Sequence, residues 1–185
     1  MKVTTGSARG KILLAPQGMH TRPITDKIKQ AIFSSIQFKV PNSQFLDLFA
    51  GSGSMSCEAL SRGAKHAILV DNDNEAIKII NQNLTNCHFD KNSFQVYQND
   101  VFNIINNLAN KQQFDIIYLD PPFTVESIFI PVMQAVDQAN LLKDNGVLMI
   151  RSHVDKKLPE QFTNLIKTKE KKYGISMVHY YKTKI

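Results

Sequence analysis

Phe45-Leu-Asp-Leu-Phe-Ala-Gly-Ser-Gly-Ser54 is a short apolar run that feeds a glycine-rich turn, and a helical stretch follows from Met55 until Gly63 stops it. A strand, a tight turn and a helix in that order form the first unit of a doubly wound sheet, where ligands bind beyond the carboxyl ends of the strands. Gly51 and Gly53 carry no Cβ and let the backbone approach a ligand closely. The run is not a dinucleotide fingerprint: the third glycine of that pattern would fall at position 56, which is Ser56. Taken alone, the glycine pair also reads as a solvent-side turn.

Working outward, strands and helices alternate. Strands are expected at 45–49, 66–70, 94–98 and 114–119, with helices at about 54–62, 74–85 and 101–109 between them. Pro131 opens a further helix, since proline is tolerated in a first turn. Asp144-Asn-Gly146 reads as a turn and Val147-Leu-Met-Ile150 as a fifth strand. A short helix is expected near 159–166. Two strand-like runs then meet at Tyr173-Gly174, alternating charged and apolar residues as an antiparallel pair does. The chain is therefore expected to be α/β, with a doubly wound, mainly parallel sheet and a terminal antiparallel strand pair. Before the first strand, residues 1–16 read as a basic hairpin turning at Gly6-Ser7. Ile24, Ile28, Ile32 and Ile36 mark one face of an amphipathic helix, capped by Thr25 or Thr21 and with Pro23 near its start. Pro41-Asn-Ser43 is the junction, which divides the chain into an extension at 1–40 and a domain at 41–185.

Composition narrows the class. The 185 residues suffice for one full core. No run of about eighteen apolar residues offers a membrane span, and the N-terminus has no apolar signal region. The two cysteines, Cys57 and Cys87, form no Cys-x-x-Cys pair, and the five histidines have no ligand spacing, so no metal is expected. A reducing cytoplasm is the expected compartment. The net charge of +6 is unevenly spread. Residues 1–40 hold seven basic and one acidic residue, 41–150 hold six and twelve, and 151–185 hold nine and three. Basic ends around an acidic middle point to a polyanion-binding surface, with lysine solvation of ordinary surface as the alternative.

The apolar run Phe114-Asp-Ile-Ile-Tyr-Leu119 ends in Asp120-Pro121-Pro122-Phe123. A carboxylate and backbone carbonyls accept hydrogen bonds from an amino group, and the prolines stiffen the turn without adding a competing N–H. The aromatic ring offers a face on which a planar base stacks. A rigid loop after a strand is the plainer reading. Asp71, about twenty residues beyond the glycines, fits an acceptor for a ribose diol; it would otherwise cap a helix, a task open to Asp73.

With these motifs the chain resembles the class I methyltransferases that use S-adenosylmethionine, and more closely the RsmD-type guanine-N2 methyltransferases of bacterial small-subunit (16S) ribosomal RNA. The resemblance covers almost the whole chain. Arg22-Pro-Ile-Thr-Asp26 with Phe33 is similar to the family's N-terminal signature. Leu46-Asp-Leu-Phe-Ala-Gly-Ser-Gly53 with Glu58-Ala-Leu-Ser-Arg-Gly-Ala64 is similar to its cofactor motif, and Asp120-Pro-Pro-Phe123 to its catalytic motif. Lys27, Gln30 and Arg151 depart from it, standing where the family usually has arginine, glutamate and glutamate. The resemblance implies a Rossmann-like methyltransferase domain and S-adenosylmethionine as cofactor. It places Asp47, Phe49, Gly51, Gly53, Asp71, Asn72 and Asp100 at that cofactor. Asp47 would meet the ammonium or be the buried polar end of the first strand; Asp100 would meet the adenine amino group or cap a helix. Asp120, Pro121, Pro122 and Phe123 would handle the guanine. Lys2, Arg9, Lys11 and Arg22, with the lysines of 167–172, would hold phosphates of 16S rRNA, within a small subunit or an assembly intermediate. Three other readings compete. They are an adenine-N6 methyltransferase of DNA, a non-catalytic RNA-binding assembly protein, and a nicotinamide oxidoreductase, which Ser56 and the tetrapeptide disfavour.

Overall fold

The computed structural model describes residues 1–18 and 23–185. Thr21 and Arg22 lie outside the described residues. The elements in chain order are α1 (Asp26–Ser35), β1 (Gln44–Leu48), α2 (Ser54–Ser61), β2 (His66–Asp71), α3 (Asn74–Asn86), β3 (Phe94–Gln98), α4 (Val101–Leu108), β4 (Phe114–Leu119), α5 (Phe129–Gln138), β5 (Leu142–His153), β6 (Leu165–Tyr173) and β7 (Ser176–Thr183). The seven strands form one sheet in the order β3-β2-β1-β4-β5-β7-β6. The first five run parallel, and β7 enters antiparallel between β5 and β6. Strand order reverses between β1 and β4, which opens a crevice at their carboxyl ends. No helix among the described residues is long and apolar enough to cross a membrane.

Alternation along each strand sorts the side chains to two faces. Phe45, Ala67, Leu69, Ile116, Tyr118 and Met149 join one core cluster with residues of α1, α2 and α3. Leu46, Leu48, Ile68, Ile117, Leu148 and Ile150 join the other, under α4 and α5. The inner parallel strands β1, β2 and β4 are buried on both faces, which is why they read as nearly unbroken apolar runs, whereas β3 at the edge is partly exposed.

The N-terminal segment covers the first of these faces. Lys2 pairs antiparallel with Ile12, and Val3, Ala8 and Leu13 are buried in the α1–α2–α3 cluster. Gly6 turns at a φ of 91°, and a Cβ there would lie 1.8 Å from the Ser61 carbonyl oxygen. The hairpin thus docks on the last turn of α2 through its glycine. Buried Lys29 of α1 completes the joint. Its Nζ donates to the Lys2 carbonyl at 2.6 Å and the Ser54 hydroxyl at 2.9 Å, and lies 3.6 Å from the buried Glu58 carboxylate. The two parts expected from the sequence, 1–40 and 41–185, therefore share buried contacts. Thr25 caps α1, accepting from the Ile28 N–H at 3.3 Å.

Two local expectations are corrected. Residues 159–164 form no helix: Asp137 accepts from the Asn164 N–H at 2.9 Å, Tyr181 donates to the Pro159 carbonyl at 2.7 Å, and Gln161 pairs with Ile166. Pro159 and these outward ties leave too few residues for a helical nucleus to propagate. Asp144-Asn-Gly146 is a bulge inside β5 rather than a turn before it, because β4 pairs with both Leu142 and Val147. A Cβ on Gly146 would meet the Lys143 carbonyl oxygen at 2.9 Å, so glycine lets the bulged backbone lie this close.

Candidate functional site

The glycine turn is wound tightly at the end of β1. Phe49, Gly51 and Gly53 have φ of 63°, 58° and 76°. For an aromatic residue that conformation is strained, and strain of this kind gathers where a backbone is shaped around a ligand. A Cβ on Gly53 would stand 3.2 Å from Leu69 and 3.4 Å from Ile80, so glycine is needed for space as well as for φ. Asp71, the last residue of β2, accepts from the Gly51 N–H at 2.9 Å and from the Asp73 N–H at 3.0 Å. Burial raises its carboxyl above the usual range, and these N–H groups hold it back. Asp73 is the cap of α3, accepting from the Ala76 N–H at 3.0 Å, which leaves Asp71 to brace the turn. Asn72 is exposed on the same rim. Asp100 caps α4 through one oxygen, which accepts from the Phe102 N–H at 2.8 Å.

Asp47 is 1% exposed in the middle of the sheet. Ser56, the residue that breaks the dinucleotide pattern, donates its hydroxyl to Asp47 at 2.6 Å. Burial, opposed by that hydrogen bond and helped by the nearby Asp120 and Asp71 carboxylates, pushes the Asp47 carboxyl up to about 7.

The tetrapeptide follows β4. The Asp120 N–H donates to the Leu48 carbonyl at 3.3 Å, which ties the motif to the end of β1. The Pro122 carbonyl accepts from the Val125 N–H at 3.1 Å and closes the turn. The Asp120 carboxylate is bound by Arg151 of β5, whose Nε lies 3.0 Å from Oδ1 and whose Nη2 lies 2.9 Å from Oδ2. The Tyr118 hydroxyl donates to Oδ2 at 3.4 Å. Burial raises the Asp120 carboxyl, while the Arg151 charge, its hydrogen bonds and Tyr118 draw it down. Phe123 is partly buried, 6.2 Å from His153 edge-to-face and 5.1 Å from the Arg151 guanidinium carbon.

One cleft is lined by Asp47, Phe49, Gly51, Ser54, Tyr118, Asp120 and Arg151, together with Pro16, Pro23 and Ile24 from the N-terminal segment. The two motifs, seventy residues apart, thus meet. Asp47, Tyr118, Asp120 and Arg151 share strand parity with the α1–α2–α3 face, so all are delivered to the side that the N-terminal segment covers. Beyond Arg151 and Phe123 opens a groove of about 790 Å³, walled by Pro23, Lys27, Ile28, Lys172, Tyr173 and Ile175. Lys2, Arg9 and Lys11 are exposed on the hairpin and line neither cavity; Asn72 and Asp100 stand at the rim of the sheet, outside the cleft lining. Reading by motif missed Ser56, Tyr118 and Arg151 as parts of the site. The available signal was position: Arg151 is the first polar residue after the apolar run of β5, as Asp71 and Asp120 are after theirs.

The family model described as conserved hypothetical protein 95 matches residues 1–182. A putative rRNA methyltransferase of Bacillus subtilis, YlbH, is 37% identical over 183 residues, with 98% of each chain covered. The ribosomal RNA small subunit methyltransferase D of Haemophilus influenzae is 30% identical, covering 95% of this chain and 90% of its own. Among solved structures, a putative methyltransferase of Escherichia coli, yhhF, superposes with a TM-score of 0.86 at 26% identity, over 99% of this chain and 97% of the other.

Proposed function

The chain belongs to the conserved hypothetical protein 95 family, and from that premise we propose that it transfers a methyl group from S-adenosylmethionine to the exocyclic N2 of a guanine in small-subunit ribosomal RNA. The observation that carries this reading is the single cleft in which the glycine turn and Asp120 both stand. The names of the relatives from Bacillus subtilis and Haemophilus influenzae support the rRNA methyltransferase class; the guanine N2 rests on the resemblance of the tetrapeptide and the Arg22-Pro23 signature.

The residues fit the cofactor. Asp47, buried and with its carboxyl pushed up to about 7, is suited to an ammonium group, whose charge would favour the carboxylate; Asp71 braces the turn and has acceptor capacity for a ribose diol. Asp100 spends one oxygen on its cap, so either expected role stays open to the other. Bound there, S-adenosylmethionine supplies an electrophilic sulfonium methyl. Asp120 and the Pro121 carbonyl accept the hydrogens of the target amine and turn its lone pair away from ring conjugation. Phe123 stacks on the base, which must leave any helix to enter. The enzyme's contribution is proximity and alignment, and the spare proton leaves to solvent.

The groove supplies the approach for RNA. It brings Lys27 from one basic end and Lys172 from the other beside Phe123. Lys2, Arg9 and Lys11, with Arg22, would extend the phosphate contacts. The test is to incubate the protein with labelled S-adenosylmethionine and, separately, unmodified small-subunit rRNA, 30S particles and DNA, then identify the labelled nucleoside. N2-methylguanosine from rRNA or 30S particles is the expected product. Label recovered as N6-methyladenine from DNA alone would replace this reading with the DNA alternative.

A further inference from the structure

Arg151 stands where the cleft and the groove meet, and lines both. Its side chain is 5% exposed. Three parts of the fold hold it. On β4's end, Asp120 takes Nε at 3.0 and 3.1 Å through its two oxygens and Nη2 at 2.9 Å. On β7, the Ser176 hydroxyl accepts from Nη1 at 3.3 Å. In the turn after β4, the Phe123 ring lies 5.1 Å from the guanidinium carbon. We propose that Arg151 is the positioning residue of the tetrapeptide: its fork orients the Asp120 carboxylate as an acceptor and seats Phe123 beside it, at the opening between cofactor and base.

The chemistry of the acceptor explains the need. An aromatic amino group donates hydrogens, so the group facing it must present lone pairs; a protonated carboxyl would present an O–H instead. The environment of Asp120 favours the protonated form. It is largely buried, Asp47 of β1 adds a second carboxyl to the same cleft, and the Tyr118 hydroxyl of β4 offers a single long hydrogen bond. Among the described residues, Arg151 of β5 is the cation in direct contact. Burial works against its own charge too, but Asp120 and Tyr118 outweigh that, so it stays protonated. A lysine would supply the charge without the planar fork, and so without fixing the carboxylate plane. Removing one partner of such a pair leaves the other buried and uncompensated.

The proposal rests on the reading of Asp120 as the amine acceptor, and its test separates the two. The carboxyl of Asp120 is followed by carbon-13 NMR through a pH titration in the wild type and in Arg151→Gln, with Asp120→Asn identifying the resonance. Arg151→Gln is expected to move the Asp120 titration upward by about one unit or more. The acid limb of kcat for methyl transfer to rRNA should move in the same direction. The KM for S-adenosylmethionine should change less than about threefold, since a positioning role acts on turnover rather than ground-state binding. Arg151→Lys should recover part of the pH shift yet remain about tenfold slower, for want of the second hydrogen bond. An unmoved Asp120 titration in folded Arg151→Gln would overturn the proposal. If Arg151→Gln does not fold, wild-type kcat in Arg151→Lys would overturn it. Should the wild type methylate no nucleic acid, the functional reading fails, while the NMR titration still decides the pairing.

Discussion

Asp47 and Asp120 are two carboxyls in one cleft with different partners, and the partners set their tasks. Asp120 has a guanidinium; Asp47 has a serine hydroxyl, and burial pushes its carboxyl up to about 7. A cationic ammonium arriving at Asp47 would favour its charged form and drive off the proton. Cofactor affinity should therefore rise with pH up to about 7, approaching tenfold per unit while the free group is protonated. Calorimetry in two buffers of different ionisation enthalpy should register proton release, and Asp47→Asn should abolish that dependence. The same shift bears on stability. The folded pKa is raised, so folding binds a proton between the unfolded value near 4 and about 7, and stability falls as pH rises across that window. Asp47→Asn should flatten the decline of Tm there. At the turn, Asp71→Ala should weaken S-adenosylhomocysteine binding by roughly 1.5–3 kcal/mol, the range for charge-assisted hydrogen bonds; normal affinity by calorimetry would remove Asp71 from the ribose site. Asp120→Ala should lose most turnover with cofactor binding nearly intact, measured by single-turnover methyl transfer.

At the scale of elements, the hairpin of residues 1–16 is held by packing and hydrogen bonds as well as carrying charge. Val3, Ala8 and Leu13 fill the α1–α2–α3 core, and the Asn83 amide of α3 donates to the Leu14 and Ser52 carbonyls while accepting from the Leu14 N–H at 2.9 Å. Asn83 thus joins the hairpin to the glycine turn. Gly6→Ala should lower stability by about 1–3 kcal/mol, because its φ is left-handed and its Cβ would collide with Ser61. Chemical denaturation would measure the loss, and Gly10→Ala is the comparison, since nothing lies within 4 Å of a Cβ there. Deleting 1–16 should expose the core of α2 and cost stability as well as RNA binding. Charge reversal at Arg9 and Lys11 is the cleaner probe of RNA contact, as both are exposed.

At the scale of the whole molecule, the basic ends meet across the groove. Charge reversal at Lys27 or Lys172 should weaken RNA binding and leave S-adenosylhomocysteine affinity unchanged. The logarithm of RNA affinity should fall with the logarithm of salt concentration at a slope of about 0.7–0.9 per phosphate contact, and each reversal should reduce that slope by about one contact. Filter binding across a salt series measures both. The edge strand β6 has a further constraint. Lys169, Glu170, Lys171 and Lys172 stand exposed along it, and charges on an edge discourage pairing with another chain.

The alternation of apolar runs with helical stretches was legible in residues 45–119, because the burial of parallel strands and the period of their covering helices are local patterns. So were the glycine turn, the acidic strand ends and the tetrapeptide, whose chemistry lies in consecutive residues. The fold class, the first four strand positions within a residue or two and the terminal antiparallel pair followed from those patterns, while the fifth strand, expected at 147–150, runs from Leu142 to His153. What failed locally was 144–146 and 159–166, where the outcome depends on partners: the bulge is defined by β4, and the stretch after Leu158 by Asp137 and Tyr181. The site itself shows the same division. Asp120 and Phe123 announce themselves, but Arg151 is thirty-one residues from Asp120 and only the β4–β5 pairing brings the two together. Ser56 looked like a missing glycine and is the donor to Asp47. Lys29, on a helix read from its isoleucines, is the buried joint between hairpin, turn and α2. Periodicity and turn chemistry act between neighbours in sequence, so the chain alone determined the elements and their polarity. Strand order and register decide which distant side chains share a face, and desolvation there sets their charge, so the tertiary structure alone decided how the site is wired.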